Sequence, residues 1–127
     1  MAGLEEGFEQ KGKRMRIGIF GGTFDPPHIG HLILAEEVRE QLTLDQILWV
    51  LTPIPPHKPN RKITPLDIRL SMLKATIDNG PNFILSRVEI DRNPPYYAVD
   101  TVRILKEENQ NDKMIYIMGE DSLRDLP

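Results

Sequence analysis

Arg16-Ile17-Gly18-Ile19-Phe20-Gly21-Gly22-Thr23-Phe24-Asp25-Pro26-Pro27-His28-Ile29-Gly30-His31 is the stretch on which the fold turns. It opens on a short apolar run of the kind a buried strand needs. A glycine pair, a threonine and two prolines follow, and then two histidines. That order predicts a strand over 16–20, a glycine turn, and a helix opening at His28. A helix start gathers unpaired N–H groups and the positive end of the macrodipole, so an anion such as a phosphate is its natural guest. Gly21 and Gly22 allow positive φ and let the backbone approach a ligand closely. Thr23 adds a hydroxyl to that cradle. His28 and His31 are three residues apart and share one helix face. Gly30 between them removes a side chain, which leaves room for a flat base or ribose. The stretch lacks the Gly-Lys-Ser/Thr ending of a P-loop and the third glycine of a dinucleotide fingerprint. A zinc site would use the same histidines, but no third ligand stands nearby and the His-Glu-x-x-His spacing is absent, so no protein-held metal is expected.

Strand and helix then alternate along the chain. Leu32, Ala35, Val38 and Leu42 recur at helical spacing over 28–42, with charged residues between them. Residues 46–51 (Gln-Ile-Leu-Trp-Val-Leu) are apolar enough for a strand buried on both faces. Residues 52–65 are rich in proline and read as a non-regular loop. A helix over 65–79 follows, with Thr64 as its N-cap, Pro65 in its first turn and Leu66, Leu70, Leu73 and Ile77 on its inner face. A strand over 83–90, a helix over 98–108 and a strand over 113–118 complete the pattern, and Gly119 opens another helix. Such alternation predicts an α/β fold, a Rossmann-like doubly wound parallel sheet with right-handed crossovers. Ligands of such sheets bind beyond the carboxyl ends of the strands. The loops that carry chemistry-bearing residues all start there.

The chain has 127 residues, 39% of them hydrophobic and 28% charged, which suits a globular domain with a real core. A net charge of −3 argues against a general nucleic-acid or membrane surface, so an anion site has to be local. The chain contains no cysteine, which removes disulfides, thiolate catalysis and cysteine-based zinc sites. No apolar run is long enough to span a bilayer. Residues 1–14 read as a polar extension and residues 15–127 as one α/β domain. The default expectation is a cytoplasmic protein, with a homo-oligomer compatible with the sequence.

Of the three histidines, His57 lies in the proline-rich loop beside Lys58, with Arg61 and Lys62 close behind. This basic cluster can meet a second phosphate group, although Arg61 and Lys62 serve equally well as solvated surface. Tyr96 and Tyr97 offer an aromatic for stacking, with packing of Tyr97 under the following helix as the plain alternative. Asp121 can accept hydrogen bonds from a sugar or act as an N-terminal helix charge.

Gly21-Gly22-Thr23-Phe24-Asp25-Pro26-Pro27-His28-Ile29-Gly30-His31 resembles the signature of the nucleotidyltransferase superfamily with the His-x-Gly-His motif. Together with Pro55-Pro56-His57-Lys58 and Gly119-Glu120-Asp121-Ser122-Leu123, it is similar to the bacterial nicotinate mononucleotide adenylyltransferases. The resemblance implies transfer of AMP from ATP to nicotinate mononucleotide by direct in-line attack. Nicotinate adenine dinucleotide and pyrophosphate are the products, and Mg2+ is carried in with ATP. It implies that His28, His31 and Lys58 are catalytic. Gly21, Gly22, Thr23, Phe24, Gly30 and His31 would bind ATP, and His57, Lys58, Tyr97, Ala98 and Asp121 the mononucleotide. Ala98 stands where the family often has threonine, so a hydroxyl contact to the pyridine carboxylate is lost there. The family's later Ser/Thr-rich motif ending in arginine has no match, so the resemblance implies a chain that is C-terminally incomplete. Competing readings are a sister enzyme acting on phosphopantetheine, a cytidylyltransferase, and a nucleotide-binding module without turnover. A class I aminoacyl-tRNA synthetase shares the His-Ile-Gly-His motif but is far larger.

Overall fold

Near-continuous burial along the two central strands marks a sheet covered on both faces. In a computed structural model, which describes residues 14–53, 63–93 and 97–117, the elements are β1 (Arg16–Gly22), α1 (Ile29–Gln41), β2 (Gln46–Leu51), α2 (Leu66–Ile77), β3 (Phe83–Ser86), α3 (Ala98–Glu108) and β4 (Lys113–Ile117). The strands form one parallel sheet in the order β3-β2-β1-β4. This is the expected doubly wound arrangement. The order reverses at β1, whose neighbours are β2 on one side and β4 on the other. The crevice beyond the carboxyl end of β1 is therefore the topological switch point, where such sheets bind their ligands.

Two apolar layers hold the helices to the sheet. On one face Phe20, Ile47, Trp49, Leu51 and Ile117 pack with Ala35 of α1 and with Leu73 and Ile77 of α2. On the other, Ile19 and Val50 pack with Leu105 of α3. Successive residues of β1 and β2 thus serve opposite layers, and β2 is buried on both faces as its composition predicts. Gly18 is required by this packing. A Cβ there would lie 2.8–2.9 Å from side-chain tips of Ile117, Ile47 and Leu44.

The boundaries differ from the sequence reading in four places. β1 continues through Gly21 and Gly22, which pair with Val50 and Leu51, so the glycines end a strand rather than form a turn. β3 stops at Ser86, and 87–90 turn away although Val88 and Ile90 alternate like strand residues. The N-cap of α2 is Pro65, with no side-chain cap bond, and not Thr64. Leu42 is 41% exposed and caps α1 instead of facing the core. Behind it, Thr43 takes a left-handed φ of 53° and Leu44 N donates to Arg39 O, a Schellman-type stop that buries Leu44. The extension at 1–13 and the expected helix after Gly119 lie outside the described residues.

Candidate active site

The two histidines of α1 are built into its first turn. His28 is the N-cap in an extended conformation (φ −148°, ψ 176°), and its Nδ1 accepts the Gly30 N–H at 3.1 Å. Three residues on, His31 Nδ1 accepts the His28 N–H at 3.0 Å. This reciprocal pair is a capping box made from imidazoles instead of the usual hydroxyl and carboxylate. The rings stack with centroids 3.8 Å apart and planes 28° apart. Because each Nδ1 accepts a hydrogen bond, the neutral tautomer of each ring carries its proton on Nε2. The cap therefore fixes two N–H donors side by side at the positive end of a helix dipole, with no acidic residue in the first turn to compete with an anion.

Gly30 serves the cap. A Cβ at Gly30 would lie 2.9 Å from Cε1 and Nδ1 of His28, so any side chain there displaces the ring. The conformation open to the glycine pair is not the one adopted. No described glycine has positive φ; the left-handed residue of the turn is Phe24, at φ 48°. An aromatic residue held there costs on the order of 1–2 kcal/mol. Packing repays it, because Phe24 is buried and meets His31 edge-on at 5.1 Å, Phe20 at 5.4 Å and Trp49 at 5.5 Å. The strained aromatic thus backs the inner histidine. Gly21 has a different neighbour, since its Cβ would lie 3.3 Å from the Tyr116 hydroxyl.

Two buried charges frame this turn, and neither stands out in the sequence. Arg69 of α2 is 1% exposed and donates to four backbone carbonyls: Nε to Thr64 at 2.7 Å, Nη1 to Thr23 at 3.0 Å and Thr52 at 2.9 Å, and Nη2 to Pro53 at 2.7 Å. It ties the end of the β1 turn to both flanks of the proline-rich segment. Asp25, whose Oδ2 accepts the Thr64 N–H at 2.9 Å, supplies opposing charge, while burial pulls the guanidinium below its usual range. The second is Glu89, 5% exposed, which accepts from the hydroxyls of Thr52 at 2.8 Å and Thr101 at 2.5 Å. Burial pushes its carboxyl above the ordinary value, against the pull of the two hydroxyls and of Arg92. Tyr116 is raised as well, first by burial and then by the charge of Glu89.

Of the expected site residues, the structure brings together Gly21, Gly22, Thr23, Phe24, His28, Gly30 and His31 at the end of β1. Tyr97 is the N-cap of α3 and Ala98 its first residue, at the carboxyl side of β3. Tyr97 is half exposed rather than packed under the helix, and its carbonyl accepts from Asp100 N, Thr101 N and Arg92 Nη2. His57, Lys58 and Asp121 lie outside the described residues. Arg69, Glu89 and Tyr116 are site-framing residues that sequence reasoning missed. The available signals were an arginine on the apolar row of Leu66, Leu70 and Leu73, and a glutamate between Val88 and Ile90. Among the described residues no group of three or more His, Asp or Glu side chains is placed to hold a metal ion, and no helix is long and apolar enough to cross a membrane.

A family model described as cytidylyltransferase-like matches residues 19–127. A protein of Thermomicrobium roseum named probable nicotinate-nucleotide adenylyltransferase is 47% identical over 112 residues, covering 88% of this chain and 52% of that protein. The nicotinate-nucleotide adenylyltransferase of Bacillus subtilis is 48% identical over 112 residues, covering 88% of this chain and 59% of its own length. The chain thus spans between half and three-fifths of these curated relatives. The solved structure of Plasmodium falciparum nicotinic acid mononucleotide adenylyltransferase complexed with NaAD superposes with a TM-score of 0.73 at 20% identity, covering 88% of this chain and 55% of that one. At that identity the likeness speaks for the fold.

Proposed function

Since the chain belongs to the cytidylyltransferase-like family, we propose that it serves the transfer of AMP from ATP to nicotinate mononucleotide. The observation that carries this reading is the stacked His28–His31 cap at the helix start, with each Nδ1 accepting a backbone N–H. The named activity of relatives 47–48% identical supports the choice of acceptor.

In this mechanism an oxygen of the mononucleotide phosphate forms a bond to the α-phosphorus of ATP as the bond to the bridging oxygen of pyrophosphate breaks. The products are nicotinate adenine dinucleotide and pyrophosphate. Negative charge grows on the leaving pyrophosphate, and the paired imidazole donors meet it without reorganising, because the cap already fixes them. Gly21, Gly22 and Thr23 line the approach of the phosphates. His57 and Lys58 complete the charge stabilisation, while Tyr97, Ala98 and Asp121 form the acceptor side. Mg2+ enters with ATP, held by phosphate oxygens, in keeping with its reluctance to shed water for an all-protein cage. The reaction is set in the cytoplasm, where both nucleotides are available.

The test is pyrophosphate release from ATP and Mg2+ with nicotinate mononucleotide, nicotinamide mononucleotide or phosphopantetheine as acceptor. Release with the pyridine mononucleotides and not with phosphopantetheine is expected, with nicotinate preferred. Release with phosphopantetheine, or with no acceptor at all, overturns the reading.

A further inference from the structure

A continuous run of hydrogen bonds joins the end of β1 to the start of α3. Thr52 N donates to Gly22 O at 2.9 Å, and Thr52 Oγ1 donates to Glu89 Oε1 at 2.8 Å. Thr101 Oγ1 donates to Glu89 Oε2 at 2.5 Å, and Thr101 N donates to Tyr97 O at 3.1 Å. Glu89 is the centre of this run, and each of its carboxylate oxygens is engaged by a different segment of the chain. Burying a carboxylate is costly, and a side chain needed only for filling at this position would be apolar like its neighbours Val88 and Ile90. A fully engaged buried polar node is rigid and permits few arrangements of the groups around it. Neither threonine nor glutamate is on the exposed turn that carries the histidines, so the node acts on the site through the backbone it holds.

We propose that Glu89 is a positioning residue which, through Thr52 and Thr101, sets the separation between the phosphate-binding end of β1 and the acceptor side at Tyr97 and Ala98. The proposal rests on the adenylyl-transfer reading for its substrate assignment. ATP phosphates meet the turn after β1, which Phe24, Arg69 and the histidine cap hold in addition to the Thr52 link to Glu89. The first turn of α3 is held to the rest of the edge through Thr101. Loss of the node therefore loosens the acceptor side first.

The experiment compares Glu89→Leu and Glu89→Gln in the full-length protein. Gln keeps a carbonyl and an amide for the two hydroxyls, whereas Leu keeps the volume and loses both bonds. Glu89→Leu is expected to raise KM for the mononucleotide about tenfold, with KM for ATP and kcat within about twofold of wild type, and Glu89→Gln is expected to restore it. Equal shifts in both KM values, no shift in either, or failure of Gln to rescue overturns the proposal. Amide exchange at Asp100 and Thr101 gives a readout independent of turnover. It should quicken about tenfold in Glu89→Leu and stay at the wild-type rate in Glu89→Gln. Wild-type protein inactive with every pyridine mononucleotide sinks the function, while unchanged exchange in Glu89→Leu sinks the positioning role by itself.

Discussion

His31 holds the helix start through Nδ1 and, in the proposed reaction, donates from Nε2 to the phosphates, and these two tasks are separable by mutation. His31→Ala removes both. Losing one preorganised donor in such a site costs about 3 kcal/mol of transition-state stabilisation, a fall in kcat of roughly a hundredfold or more. The cap adds about 1 kcal/mol of fold stability to the loss. His31→Gln retains an acceptor for the His28 N–H, as in an ordinary capping box. It is expected to unfold like wild type in urea and still lose the hundredfold in pyrophosphate release. Near-wild-type turnover in either variant would remove His31 from the chemistry. The pairing of the histidines was legible from a spacing of three at a helix start. The use of Nδ1 was not, because it depends on the extended N-cap backbone. Gly30 has a second reason that the spacing did not show, since a Cβ there would meet the His28 ring.

At the scale of elements, α2 does more than cover the sheet. Its apolar row of Leu66, Leu70, Leu73 and Ile77 carries Arg69 at the same face, and the guanidinium reaches carbonyls from three loop segments. Arg69→Met keeps much of the packing and strands those carbonyls in the interior. The expected loss is about 3 kcal/mol or more, read as a lower urea midpoint with an unchanged m-value. Arg69→Lys should recover only part of it, because one ammonium cannot reproduce a fork of donors. The existence and order of the elements were readable from periodicity, because the sheet is buried on both faces and its helices pack by one stripe each. The end of β3 was not readable: Val88 and Ile90 alternate as strand residues do, yet they sit in a turn whose purpose is to bring Glu89 inward. Charged residues in core rows escape a reading that assigns charge to solvent, and both Arg69 and Glu89 were lost that way.

Across the whole molecule, buried Glu89 and partly exposed Tyr116 shape the pH response of the carboxyl edge. Burial raises Glu89 above the ordinary carboxylate range, and burial with the charge of Glu89 raises Tyr116. For both, the folded chain favours the neutral form more than the unfolded chain does. Their contribution to stability is therefore full below the unfolded pKa and is lost as pH rises through the folded one. Glu36, lowered by its hydrogen bond to Arg39, works in the opposite direction, but that pair lies on the surface and is screened. Relative to Glu89→Gln, the wild-type protein should lose stability from the carboxylate range toward neutrality, with the gap closing in acid. Urea unfolding of both proteins across that range checks it, and a pH-independent gap would refute it. The reversal of strand order at β1 places all of this at one edge. One consequence concerns how such an edge can change over generations. Among the described residues the hydrogen bonds of Arg69 go to main-chain oxygens, and a carbonyl is the same whichever side chain its residue bears. The side chains at positions 53 and 64 can thus change, and so can the stretch between them apart from His57 and Lys58, which the proposed reaction uses, while the anchor recognises it as before. The same clamp gives an engineer two fixed posts between which loop sequences that keep His57 and Lys58 can be grafted.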